Sequence, residues 1–258
     1  MNGSQPRVLI ATATYNEREN LEPLVREIRA TVPHADVLVL DDNSPDGTGQ
    51  LADEIARRDA KVHVIHRAGK LGLGTALIAI MRFAMDRNYD LVVTMDADYS
   101  HHPRYLPAIL SGMDKSDVMI GSRYVPGGGV ENWPWSRRMM SKSTGRLVRF
   151  LLGMPVRDTS GNFRCYRLSL LRRANLDNLI STGYSFQQEM LHRCFLAGAR
   201  LNETPIIFAD RKVGKSKANL KEIVRSLSTL MRLGWRAWFH KASMMPTPMN
   251  QQFPSQAA

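Results

Sequence analysis

The chain has 258 residues, 43% of them hydrophobic and 23% charged, which suits one domain with an ordinary core and excludes a disordered or fibrous protein. Its net charge of +11 is unevenly placed: residues 1–120 hold 13 Lys+Arg against 17 Asp+Glu, residues 121–258 hold 22 against 7. The second half therefore attracts anions, and nucleic acid, anionic lipid and phosphorylated substrates all answer to such a field.

Residues 8–13, 37–40, 62–66, 91–95 and 118–121 are short apolar runs bounded by turn formers, as expected of five buried parallel strands. Helical patterns separate them, one with Leu21, Leu24, Val25 and Ile28 on a single face and another over residues 74–85. This alternation predicts an α/β fold with a mostly parallel sheet and helices on both faces.

After residue 121 the alternation weakens. A Gly/Pro/Trp-rich loop over 126–135 leads to a basic amphipathic helix over about 137–152, then to a polar segment at 158–162 that looks like an acceptor-side elaboration. A helix over about 183–198, a strand near 205–208, a basic loop at 210–217 and a last helix over about 219–240 follow. One domain is expected over 1–245, with halves meeting near 121 and 122 and a disordered tail at 246–258. Cys165, in a candidate strand, and Cys194, in a candidate helix, fit plain core positions in a reducing compartment. No stretch approaches the ~20 apolar residues of a membrane span, and there is no leader pattern, so a soluble or peripheral cytoplasmic protein is expected.

Ligands of such sheets bind beyond the carboxyl ends of the strands. Three polar clusters fall there: Thr14-Tyr15-Asn16-Glu17, Asp41-Asp42-Asn43-Ser44-Pro45-Asp46-Gly47-Thr48 and Asp96-Ala97-Asp98. Two carboxylates one residue apart at a strand end can share one hard cation, Mg²⁺ or Mn²⁺, that bridges a diphosphate. Surface turns also produce Asp-x-Asp freely, and only the position after the apolar run 91–95 sets this one apart. The second cluster supplies a turn and a helix cap, with Asp46 or Thr48 as N-cap, yet holds more carboxylates than a cap uses. Tyr15 and Glu17 read either as ligand contacts or as a strand end and an acidic helix start.

Taken together, residues 14–21 and 41–48, Asp96-Ala97-Asp98, Gly121-Ser122-Arg123-Tyr124 and Ser216-Lys217 resemble the polyprenol-phosphate (dolichol-phosphate) mannosyltransferases of glycosyltransferase family 2, over roughly residues 8–240. The resemblance implies a GT-A fold, a GDP-mannose donor, a divalent cation, inversion at the anomeric carbon and a lipid monophosphate acceptor. It implies nucleoside contacts at Ala13, Tyr15, Glu17, Leu40 and Asp42, and a metal and diphosphate site at Asp96, Ala97 and Asp98. Arg123 is implied at the sugar phosphates or acceptor phosphate, Arg137 and Ser141 at the acceptor phosphate, and Arg211 and Lys217 over the donor diphosphate. Asp98, Arg123 and Arg211 would carry the chemistry.

Two positions depart from the family pattern. Ala13 stands where proline is usual, and Ser100 where some members place a third, amide metal ligand. Members often carry C-terminal membrane spans; none is apparent here, which leaves room for a membrane-spanning partner subunit. In the helix over 137–152, Met139, Met140, Leu147, Val148, Leu151 and Leu152 form an apolar stripe against basic residues that can pack on the core or lie in a lipid interface, the latter favoured. The last helix, with Trp235, Trp238 and Phe239, reads as an interfacial segment or equally as a dimer contact. Among the rival readings, a nucleic-acid-binding module lacks interleaved aromatic platforms. A dinucleotide oxidoreductase lacks the glycine fingerprint after the first strand. A UDP-glucose-dependent lipid-phosphate glucosyltransferase is the nearest competitor, and no nucleic acid is expected as partner.

Overall fold

The computed structural model describes residues 5–174, 179 and 185–209. The strands are β1 (Val8–Thr14), β2 (Asp36–Asp41), β3 (Val62–His66), β4 (Leu91–Asp96), β5 (Val118–Ser122), β6 (Gly129–Glu131), β7 (Arg164–Arg167), β8 (Leu201–Pro205) and β9 (Ile207–Ala209). The α-helices are α1 (Arg18–Thr31), α2 (Thr48–Arg58), α3 (Leu73–Asp86), α4 (Leu106–Ser111), α5 (Trp135–Leu152), α6 (Leu168–Arg173) and α7 (Ser185–Leu196).

The five expected strands form within a residue of their predicted ends, because their apolar runs fill both faces of a covered sheet. Alternate residues of each strand serve opposite cores. Leu9, Ala11, Leu38, Leu40 and Val92 pack with α3 and α7, while Val8, Ile10, Val37, Val39 and Val93 pack with α1, α2 and α4. Leu21, Leu24, Val25 and Ile28 of α1 are all buried, as their spacing requires. Each such side chain contributes roughly 1.5–3 kcal/mol of transfer free energy.

Strand order in the main sheet is β3-β2-β1-β4-β7-β5-β8, parallel except for β7. The sheet thus extends beyond the five predicted strands. β7 inserts antiparallel between β4 and β5, and β8 adds to the edge of β5. The strand expected at Cys165 is β7, but its antiparallel insertion between β4 and β5 was invisible in the sequence because a strand's partners and direction are set by long-range pairing. The predicted strand near 205–208 is two strands broken at Ile206, β8 in the main sheet and β9 beside β6.

The chain runs outward from β1 through β2 to β3, then returns to place β4 on the other side of β1. Strand order reverses between β1 and β4, and a crevice opens there at the carboxyl edge. Among the described residues no helix is long and apolar enough to cross a membrane.

Candidate active site

Ala13 at the end of β1 is the register partner of both Leu40 on β2 and Asp96 on β4. Three predicted site residues therefore stand side by side at the reversal point. The three loops leaving these strands carry left-handed residues: Asn16 (φ 61°), Asn43 (φ 58°) and Tyr99 (φ 61°). Asparagine tolerates that conformation, whereas tyrosine adopts it at a cost and must be held by its surroundings.

The first two loops are stitched together. The backbone N–H groups of Asn16, Glu17 and Arg18 donate to Ser44 Oγ (3.0 Å), Thr48 Oγ1 (3.0 Å) and Asp46 Oδ2 (3.2 Å). Asp41 is buried and accepts from Thr14 Oγ1 (3.1 Å) and the Ser44 backbone (3.0 Å), so it is a turn-maker. Gly47 occupies the N-cap of α2 at φ 84°, not Thr48 or Asp46 as predicted; Asp46 Oδ1 instead accepts from Thr48 N (3.0 Å) one position upstream. The chain must turn left-handed to bring α2 against the sheet, and glycine does this without strain.

Of the predicted nucleoside contacts, Tyr15 is exposed with Lys70 Nζ 4.3 Å over its ring, and Glu17 accepts from Asn20 Nδ2 (2.9 Å). Leu40 is fully buried, so only its backbone is on offer; its carbonyl accepts from Thr14 Oγ1 (3.3 Å). Asp42 is paired with Arg67, whose Nε lies 2.6 Å from its Oδ1. Arg67 was not anticipated, since it follows β3 with no motif around it.

At the end of β4, Asp96 and Asp98 flank the buried Ala97. Asp98 Oδ1 accepts from Ser100 N (3.0 Å), which curls the loop. The backbone N–H of Asp96 donates to His101 Nδ1 (3.0 Å). That nitrogen is therefore unprotonated, and burial pushes the ring's pKa down against the pull of Asp96 and Asp98. His101 is a neutral prop for the loop, with its ring against Phe163 (5.1 Å) and Phe208 (5.4 Å).

The donor set fits a hard cation. Both carboxylates are only half-buried, and the Ser100 hydroxyl beside them is buried without a hydrogen-bond partner. The Ser100 hydroxyl is thus an available oxygen at the position where the resemblance places an amide in some members. Among the described residues there is no cluster of three His, Cys, Asp or Glu able to hold a metal.

Arg123 is buried and directs Nε and Nη2 at the two oxygens of Asp158, each at 2.7 Å, with Nη2 also reaching Ser160 Oγ at 2.8 Å. The Asp158 carboxylate additionally accepts from the backbone of Arg123 (3.1 Å) and Gly161 (3.0 Å). Burial would raise its pKa, but the Arg123 charge and these hydrogen bonds outweigh it and hold the carboxyl at about 2. The same partnership raises the Arg123 pKa despite burial. The segment 158–162 is thus tied to Arg123 through a buried ion pair.

Trp133 lies between two of the predicted acceptor residues, with the Arg137 guanidinium 4.0 Å and that of Arg123 5.7 Å from its ring centroid. Ser141, the third, meets the Tyr124 hydroxyl at 2.5 Å. α5 begins at Trp135, two residues earlier than predicted. Its predicted apolar stripe divides: Val148 and Leu152 are buried, whereas Met139, Met140 and Leu147 are exposed together with Trp135 (75%) and Phe150 (74%). Arg211, Lys217 and the predicted last helix lie outside the described residues. Cys165 and Cys194 are buried free thiols on β7 and α7.

Sequence reasoning missed Asn162, Asp158 and Gln187 as partners of the site. Asn162 Nδ2 donates to Asp96 Oδ1 (2.8 Å) across 66 residues of chain, a separation at which no local pattern exists. His101 alone carried a usable signal, its spacing of five from Asp96 at a loop of known position.

The chain is 44% identical over 231 residues to an undecaprenyl-phosphate mannosyltransferase of Micrococcus luteus, covering 90% of this chain and 95% of the relative. It is 42% identical over 238 residues to a polyprenol monophosphomannose synthase of Mycolicibacterium smegmatis, covering 92% and 90%. Two solved structures share its fold. One is a mannosyltransferase of Pyrobaculum calidifontis in complex with GDP-mannose and Mn²⁺ (TM-score 0.57, 16% identity, 95% of this chain and 77% of that one). The other is glucosyl-3-phosphoglycerate synthase of Mycobacterium tuberculosis in complex with Mn²⁺, UDP and glucosyl-3-phosphoglycerate (TM-score 0.58, 18% identity, 94% and 82%). The model of the glycosyl transferase family 2 matches residues 9–180, the span that holds the reversal point, the paired carboxylates and the Arg123–Asp158 lock, and the chain belongs to that family.

Proposed function

We propose that this chain transfers mannose from GDP-mannose to the phosphate of a polyprenyl monophosphate, with inversion, at the cytoplasmic face of a membrane. The observation that carries the reading is the carboxylate pair Asp96 and Asp98 at the strand-order reversal, where Ala13, Leu40 and Asp96 stand side by side in register. The two relatives above, whose names specify mannosyl transfer to polyprenyl phosphates, support the acceptor. Asp96, Asp98 and Ser100 would hold Mg²⁺ or Mn²⁺. When bound, the ion supplies positive charge that stabilises the departing diphosphate.

The remaining work falls to the chain's own side chains. Ala13, Leu40 and the stitched loops at Tyr15, Glu17 and Asp42 form the floor for the nucleoside. Arg211 and Lys217 would close over its diphosphate. Arg137 and Ser141 present a guanidinium and a hydroxyl to the acceptor phosphate, with Arg123 adding fixed charge behind them. The acceptor needs no strong base, because a phosphate monoester has a second pKa of about 6 and is largely ionised near neutrality. Catalysis then rests on orientation and on charge stabilisation. The exposed Trp135, Phe150, Met139 and Met140 of α5 would seat the protein on the bilayer where the lipid acceptor resides. A membrane-spanning partner subunit is compatible with this arrangement.

Calorimetric titration of GDP-mannose, UDP-glucose and UDP-N-acetylglucosamine in the presence of Mn²⁺ tests the donor. GDP-mannose is expected to bind tightest; a preference for UDP-glucose would overturn the reading. Asp98→Ala is expected to lose mannosyl transfer by roughly two to three orders of magnitude with an unchanged circular dichroism spectrum. Undiminished turnover in that variant would remove the carboxylate pair from the mechanism.

A further inference from the structure

Behind Asp96 runs a row of buried amides. Asn162 Nδ2 donates to Asp96 Oδ1 at 2.8 Å, and Asn162 Oδ1 accepts from Gln187 Nε2 at 2.5 Å. A carboxylate offers no proton, so Asn162 must turn its NH₂ group toward Asp96. Its oxygen then faces away and requires a donor, which fixes the orientation of the Gln187 amide as well. Both backbones are also pinned: Thr94 Oγ1 donates to the Asn162 carbonyl (2.7 Å), and Arg164 Nη1 to the Gln187 carbonyl (2.8 Å). Asn162 and Gln187 are 7% and 4% exposed. Burying two amides is costly, the more so as Gln187 Oε1 has no hydrogen-bond partner, and an apolar core would have served packing alone.

We infer that Asn162 and Gln187 are positioning residues for the carboxylate pair: Asn162 engages Asp96 Oδ1, Gln187 orients Asn162, and Oδ2, 3.4 Å from the unprotonated His101 Nδ1, is the oxygen that Asp96 turns to a divalent cation. This rests on the metal reading given above. Small divalent cations demand strict ligand geometry, and loss of such outer partners typically costs ten- to a hundredfold in metal affinity. The relay also ties α7 and the 158–162 segment to the end of β4, so a helix distant in sequence sets the aim of the carboxylate.

Titration with Mn²⁺ alone, following the electron paramagnetic resonance signal of the free ion, tests this without donor or turnover. The proteins are the wild type, Asp98→Ala, Asn162→Ala, Gln187→Met and the Asn162→Ala/Gln187→Met double variant. Asn162→Ala is expected to weaken Mn²⁺ binding by about tenfold or more and Gln187→Met by severalfold. The double variant should match Asn162→Ala, because Gln187 acts only through Asn162. Gln187→Met nearly conserves volume, which keeps the test open if removal of Asn162 unfolds the loop. Wild-type affinity in either folded single variant, or additive losses in the double variant, would overturn the inference. The wild type and Asp98→Ala report on the metal site itself: no binding by the first, or unchanged binding by the second, would sink the metal reading and the relay with it.

Discussion

Two arms of the Arg123 guanidinium end on Asp158, so the arginine of the Gly-Ser-Arg-Tyr motif acts from inside a buried ion pair. Such a pair gains little net stability over apolar packing, but removing one partner strands the other and typically costs about 3–5 kcal/mol. Asp158→Asn is therefore expected to lower the melting temperature sharply, measured by scanning calorimetry. The pH dependence has a definite sign. The Asp158 carboxyl titrates at about 2 in the fold against 3.8 for the free group, so its stabilisation is complete above about pH 4 and disappears as pH falls toward 2. Urea titrations of the wild type between pH 5 and pH 2 should show that loss, and the Asn variant should show a shallower slope over the same window. An identical slope in both proteins would mean that Asp158 is not the group responsible.

α3 and α7 meet at Gly74, where an added Cβ would stand 2.7 Å from the Phe186 ring. Phe186 sits at the start of α7, directly before Gln187. Ordinary helix propensity favours alanine over glycine by roughly 1 kcal/mol, but overpacking at a fixed ring costs about 1–3 kcal/mol. Gly74→Ala should therefore destabilise the protein and displace the first turn of α7, with a raised KM for the sugar donor as the functional trace. A neutral or stabilised variant would show that α7 can slide. The helix itself is a case in which sequence pattern misleads: Gln187, Gln188, Glu189 and His192 are all buried, so no polar face marks its exposed side.

The molecule as a whole combines an acidic first half with a basic second half whose helix α5 leaves Trp135 and Phe150 about three-quarters exposed. Exposed apolar side chains beside Lys142, Arg146 and Arg149 suit an anionic bilayer, where apolar insertion and charge attraction add. Co-sedimentation with vesicles of phosphatidylglycerol and phosphatidylcholine is expected to fall severalfold for the Trp135→Ser/Phe150→Ser double variant. Wild-type binding should weaken as salt is raised from 50 to 500 mM, because the Debye length shrinks from about 14 to about 4 Å. Binding that ignores both changes would place the membrane contact elsewhere.

Five strands, the face of α1 and the carboxyl-edge position of Asp96-Ala97-Asp98 could all be read from the chain alone, because apolar periodicity and turn residues act within a few positions of each other. The site's outer partners could not. Whether Arg123 is a free hand or half of a buried pair depends on Asp158, 35 residues away, and the aim of Asp96 depends on Asn162 and Gln187, farther still. β7 brings these together by entering the sheet against the direction of its neighbours, between β4 and β5. Local sequence specifies which groups are present at the edge of a strand, whereas their orientation is a matter of hydrogen bonds closed across long loops, which only the folded chain can form.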